Sequence, residues 1–236
     1  MKLAIRIETD IDEGLHENGV DDYSEAILDF CGGQESFSDG FEDEIYNYRQ
    51  LIIFLGSNII KEEKEAELKI DESWKNEQED IRYEVSHVKS FRKFTLHALF
   101  VSIHSMYEGR LKEYCLILKQ FNKANISLFK NDSVVVILGK IKKKIFLKQK
   151  SKENNKAFVF YNNIRNLVVH HRGGINSKTN WALINLISSS DCLKLNQYNL
   201  GDYDFKVSIT KSIFLLEYLN IIEEELKLIC RAANSL

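Results

Sequence analysis

Apolar positions recur at three- and four-residue spacing through most of the chain, and that period predicts helices. Residues 41–69 carry Ile45, Tyr48, Ile52, Leu55 and Ile59 on one stripe, and Asp71-Glu72-Ser73 predicts a short break. From about residue 78 to 122 the one strong breaker is Gly109, which predicts one long helix or a kinked pair. Its core face is Leu96, Leu99, Ile103, Met106, Tyr107, Leu111, Tyr114 and Leu118. Asn131-Asp132-Ser133 can cap a helix over 134–146 whose far end becomes a lysine run. The β-branched Val134-Val135-Val136-Ile137 also fits a strand. Beyond a polar loop at 149–155, Phe158, Tyr161, Ile164 and Val168 predict a helix over 157–171. The last helix, 210–232, buries Phe214, Tyr218, Ile222, Leu226 and Ile229.

A period of two shows in three places. Leu3, Ile5 and Ile7 predict a short strand. Residues 193–198 and the alternating Phe205, Val207 and Ile209 predict a hairpin closed by Asn199-Leu200-Gly201-Asp202. Between 10 and 40 the chain is acidic and carries Gly32-Gly33 and Gly40 as turn signals, which suits an arm, docked or mobile. The fold expected is mainly α: a helical bundle with a small β-hairpin before the last helix. Residues 1–40 form an acidic N-terminal extension with a short strand, and 41–236 the helical domain.

Composition narrows the class. With 44% apolar and 28% charged residues over 236 positions, the chain suits one well-buried soluble core. No window approaches the roughly eighteen apolar residues of a membrane span. No charged start leads into an apolar run, so no signal peptide is expected. Cys31, Cys115, Cys192 and Cys230 are scattered, which points to reduced thiols in a cytoplasmic protein rather than disulfides or zinc. The absence of proline removes a common helix breaker.

The net charge of −3 hides an asymmetry. Residues 1–45 hold 14 acids against Lys2 and Arg6, whereas 140–156 hold eight lysines against Glu153. Lys140, Lys142, Lys143, Lys144, Lys148 and Lys150 can attract phosphate without sequence preference, or form a solvated face.

Chemistry concentrates in Arg165-Asn166-Leu167-Val168-Val169-His170, followed by His171-Arg172-Gly173-Gly174. The paired glycines suit a helix C-terminus, because glycine enters the left-handed cap conformation without steric cost. His170 then sits in the last turn, among unpaired carbonyls that favour an imidazolium, and can exchange a proton near neutral pH. Arg165 brings a permanent charge and a planar donor fork suited to phosphate. Residues five apart on a helix diverge by about 140°. Either the arginine reaches around, the helix ends early, or a second subunit completes the pair.

Arg165-Asn166 followed by His170, with four residues between Arg and His, resembles the signature of the HEPN family, with a long helix upstream and a closing helix downstream. The resemblance covers about residues 42–232. It implies a HEPN-like helical bundle and a metal-independent endoribonuclease of toxin or defence-effector type, leaving 2′,3′-cyclic phosphate ends. It implies Arg165, Asn166 and His170 as the catalytic set, no metal and no cofactor. It also implies RNA as partner and a homodimer with two motifs facing one cleft. In this reading His170 transfers the proton, Arg165 holds the phosphate and Asn166 orients one of them. Related sequences often carry an acid in the preceding long helix, which gives Glu108 a supporting role at Arg165.

His104 shares a helix face with Glu108 and joins the supporting set, as do His171, the more natural surface bystander, and Arg172, a general phosphate contact. His97, His104 and Glu108 lack a fourth ligand at convincing spacing, so no metal site is expected. The acidic arm suggests restraint, by lying over the lysines or through an antitoxin-like regulatory partner. The competing reading is a non-catalytic HEPN-like scaffold or RNA-binding module, in which Arg165 and Asn166 pair with neighbouring acids and His170 caps the helix. A small-nucleotide binder using Arg165 and Arg172 is weaker, since Gly173-Gly174 follows a helix instead of leading into one.

Overall fold

The computed structural model describes residues 30–72, 78–121, 123–145 and 151–233. The strand expected at 3–7, most of the acidic arm, Lys148 and Lys150 lie outside the described residues. Six helices and a three-stranded sheet are seen there: α1 (Phe30–Glu72), α2 (Gln78–Gln120), α3 (Val134–Lys144), α4 (Ser151–His170), β1 (Gly174–Ile175), α5 (Trp181–Ser188), β2 (Leu193–Leu200), β3 (Tyr203–Ile209) and α6 (Ile213–Ala233). The protein is mainly helical, with the small sheet ahead of its last helix.

The apolar stripe after residue 78 becomes one continuous helix, α2, with Gly109 inside it. Leu96, Ile103, Tyr107, Leu111, Tyr114 and Leu118 are buried along it, and α1, α3, α4, α6 and β3 all pack on it.

Three expectations fail for physical reasons. The turn signals Gly32-Gly33 and Gly40 lie within α1, which starts well before residue 41. A mid-helix glycine costs about 1 kcal/mol against alanine. Burying Phe37 and Phe41, four apart, returns on the order of 1.5–3 kcal/mol each, and Phe37 meets Tyr114 at 5.1 Å between ring centroids. The helix therefore continues. At 134–137 the expected helix forms rather than the alternative strand, because Val134, Ile137, Leu138 and Ile141 all face the core. The capping triplet also acts differently from expectation. Ser133 makes no side-chain cap bond, and Asp132 Oδ2 instead accepts from Phe129 N–H at 2.8 Å and Lys140 Nζ at 2.5 Å. Finally, the polar stretch at 151–155 is helical: Lys142 donates to Asn155 Oδ1 at 2.8 Å and ties that end of α4 to α3.

The sheet order is β1-β3-β2, all antiparallel. The hairpin β2–β3 turns through Gly201 at φ +62. The third strand, β1, is two residues that directly follow the motif. Gly174 pairs with Lys206 and Ile175 with Phe205, so the chain leaving α4 is pinned to the central strand. The short α5, with Ile184 and Ile187 buried, was not expected from the sequence pattern.

Candidate active site at the end of α4

The inner face of α4 anchors the site. Tyr161 stacks on Tyr218 of α6 at 4.2 Å, and Phe158 stacks on Tyr107 of α2 at 5.2 Å. Ile164 and Leu167 complete the buried side. At the helix end His171 N–H and Gly173 N–H both donate to Leu167 O, at 3.1 and 2.7 Å. The left-handed positions are Arg172 at φ +50 and Gly173 at φ +85, whereas Gly174 already belongs to β1. The glycine pair thus does not supply the cap alone: an arginine is held in a conformation that costs a side-chain-bearing residue about 1–2 kcal/mol. Gly173 is needed for a second reason. A Cβ there would lie 2.8 Å from Val207 O. Gly173→Ala is expected to lower stability by more than about 1 kcal/mol, read as a shifted urea midpoint.

Arg165 reaches around the helix. Its Nη1 lies 3.1 Å from Asn166 Oδ1 and 3.2 Å from His170 Nε2. One chain therefore brings the pair together, and a second copy is not needed for this contact. A guanidinium has only donors, so the bond to His170 requires an Nε2 lone pair and the Nδ1–H tautomer. Arg165 Nε is buried and makes no hydrogen bond among the described residues. His170 is exposed, at the outer edge of the constellation.

The supporting residues are spread around this centre. Glu108 does not reach Arg165: its Oε1 accepts from Lys112 Nζ at 2.6 Å, one turn along α2. The nearer cation wins. His104 is buried beneath the site, with Nδ1 2.7 Å from Tyr218 Oη. Burial, and next the Arg165 guanidinium, push its pKa down to about 4, against an opposing pull from Glu108. His171 Nδ1 meets Tyr203 Oη at 2.8 Å and is tied to β3. Arg172 is exposed beside the site.

The lysines divide. Lys142 is buried, 4% exposed, and pairs with the wholly buried Glu225 at 2.8 Å, so it is a core residue and not an RNA contact. Lys140 is engaged by Asp132 and by Ser127 O. Lys143 and Lys144 are exposed at the end of α3.

Comparison of the chain with protein-family models, curated proteins and solved structures finds no match.

Two grooves flank α4 at the motif. Asn166 and His171 face one of about 1060 Å³ between α4 and α5, lined also by Lys156, Asn163 and Asn180. Arg172 lines the other, of about 680 Å³, with Lys93, His97 and Lys206. Lys93 and Lys206 were not foreseen, since 113 positions separate them and no local pattern joins them. His97 Nε2 accepts from Ile209 N–H at 3.2 Å, and burial, then Lys93 and Lys206, push its pKa down to about 4. Among the described residues no group of three His, Cys, Asp or Glu is placed to hold a metal ion, and no helix is long and apolar enough to cross a membrane.

The buried His104 and the partly buried His97 set a pH response. His97 and His104 stay neutral in the fold down to about pH 4, whereas unfolded histidine titrates near 6.5. Between those values unfolding takes up about two protons. Stability is expected to be full above pH 6.5 and to fall as pH drops toward 4. Urea midpoints measured across that range check it, and midpoints that do not decline below pH 6.5 would refute it.

Proposed function

We propose that the protein is a metal-independent endoribonuclease of the HEPN type, acting as a toxin or defence effector, with Arg165, Asn166 and His170 as its catalytic set. The observation that carries this reading is the 3.2 Å contact between Arg165 Nη1 and His170 Nε2 at an exposed helix end flanked by two grooves. The pair offers a fixed cation beside an imidazole whose Nε2 can accept a proton once the cation turns to a phosphate, the two functions that phosphodiester transesterification needs.

In the resting protein the guanidinium occupies Nε2. A substrate phosphate competes for it, since charge-assisted bonds to phosphate are stronger than one to neutral imidazole. Release then frees Nε2 to take the proton of the ribose 2′-hydroxyl. The 2′ oxygen bonds to phosphorus, and the bond from phosphorus to the 5′ oxygen breaks. The departing oxygen takes a proton from water or, in a homodimer with facing motifs, from a second imidazolium. The products are a 2′,3′-cyclic phosphate and a 5′-hydroxyl. Exposed Lys143 and Lys144 add unspecific attraction for RNA.

The competing reading, a non-catalytic helical scaffold or RNA-binding module, draws on the Arg165–Asn166 and Arg165–His170 bonds, which also tie down a helix end. Cleavage of labelled single-stranded RNA in EDTA by the full chain separates the two. Products with cyclic phosphate ends support the enzyme, and intact RNA over a range of substrates and concentrations supports the module.

A further inference from the structure

The groove of Arg172 gathers three cations and no carboxylate. Several partly buried cations elsewhere are matched by acids: Arg49 with Glu223, Arg92 with Glu63, Arg110 with Glu44 and Glu113, Lys227 with Glu42 and Glu223. In this groove Lys93, Arg172 and Lys206 have no ion pair among the described residues, and no carboxylate lines it. Lys206 Nζ lies 5.0 Å above the Tyr198 ring.

The fold holds these cations together deliberately close to the motif. Gly174 pairs with Lys206, and Val207 N–H donates to Gly173 O at 2.8 Å, so Arg172 leaves α4 alongside Lys206. Lys93 comes from α2 on the facing wall. Mutual repulsion is felt: burial first, and then Lys206, lower the Lys93 ammonium pKa. Folding brings like charges together at a cost, and a bound anion would remove that cost. The floor between them is apolar, built from Ala98, Val101, Val168 and Val169, and Phe94 stands at its rim 71% exposed. Cations beside an exposed aromatic ring are what a single-stranded nucleic acid uses, with phosphates on the charges and a base on the ring. An acidic peptide would use the charges but leave the ring idle.

We propose that the groove of Lys93, Phe94, Arg172 and Lys206 is a second phosphate subsite that holds single-stranded RNA beside the Arg165–His170 pair, with one base laid on Phe94. The assignment of the bound strand as substrate rests on the ribonuclease reading; the binding itself does not. The left-handed backbone of Arg172 fits this role, since glycine there would relieve strain but remove a phosphate contact.

The test is fluorescence anisotropy of a labelled single-stranded oligouridylate with full-length His170→Ala protein, over a range of salt. On that background Lys93→Gln with Lys206→Gln is expected to weaken binding at least about tenfold. It should also flatten the log–log salt slope by about 1.4, for two phosphate contacts on a single strand. Phe94→Ala should weaken binding without changing the slope. Lys119→Gln with Lys130→Gln removes equal charge at exposed positions elsewhere and should change neither by as much. If the glutamine pair fails to fold, Arg172→Gly decides, with a raised Tm and weaker RNA binding expected. Unchanged affinity in the groove variants, loss equal to the Lys119/Lys130 control, or no RNA binding by the parent protein overturns the proposal. Wild-type cleavage is scored separately. Groove-dependent binding without cleavage upholds the subsite and sinks the ribonuclease, whereas cleavage with groove-independent binding does the reverse.

Discussion

His170→Ala is expected to lower RNA cleavage by about 10²–10⁴-fold, the range for losing a positioned proton-transfer group, while folding stays intact. The side chain is exposed, and exposed substitutions away from special features shift stability by no more than about 0.5 kcal/mol. The combination matters more than the loss. A module that keeps the motif for structure would respond the other way, with a lower Tm and RNA binding lost in proportion to unfolding. Arg165→Lys sharpens the test. It keeps the charge but replaces the planar fork that spans Asn166 and His170 with a single ammonium. Cleavage should fall well below wild type although net charge and electrostatic attraction for RNA are preserved. Rates are to be measured in EDTA with cyclic-phosphate end analysis, beside thermal melts of all three proteins. Full activity in His170→Ala would end the catalytic assignment.

Much of this site could be read in the sequence because it is local. The stripe Phe158, Tyr161, Ile164 announces α4, and Gly173 announces its end, so Arg165 and His170 fall on the last two turns. What the sequence left open was how residues about 140° apart on a helix could meet. The answer depends on side-chain reach, which spacing does not encode. The long-range partners stayed hidden for a related reason. Glu108 has a lysine one turn away and takes it, and nothing in the order of residues says that Arg165 loses that competition. The groove cations come from α2, the α4 terminus and β3, and only the β1–β3 register joins them. At the start of α1, local rules and tertiary packing disagree. Glycines at 32, 33 and 40 read as turns, yet two buried phenylalanines hold the helix through Gly40. The hairpin was legible from its alternation and its glycine turn, but a third strand of two residues has no period to detect.

The lysine run is the instructive error, and it leads to the largest stability effect expected. Read as a charged tract, 140–150 looks like one phosphate-attracting face. Read by helical position, Lys142 follows Leu138 by four residues and Ile141 by one, so it falls on the edge of the buried stripe of α3. Glu225 likewise falls among Ile222, Leu226 and Ile229 on the buried stripe of α6. A buried acid and a buried base on facing helices call for each other, since either one alone is costly. They meet at 2.8 Å, in an ion pair that is not aligned as a hydrogen bond, and the same ammonium donates to Asn155 of α4. One side chain thus links three helices. Lys142→Met is expected to cost about 3–5 kcal/mol, because it breaks a buried ion pair by removing one partner. Adding Glu225→Leu should recover most of that loss, as replacing both partners with apolar groups is often neutral or stabilising by about 1–4 kcal/mol. Urea unfolding of the two single variants and the double variant measures the coupling, and single and double losses that simply add would refute it. RNA affinity of the double variant separates the two readings of Lys142. A core lysine predicts wild-type binding once the fold is restored; a phosphate contact predicts that binding stays weak however stable the protein becomes.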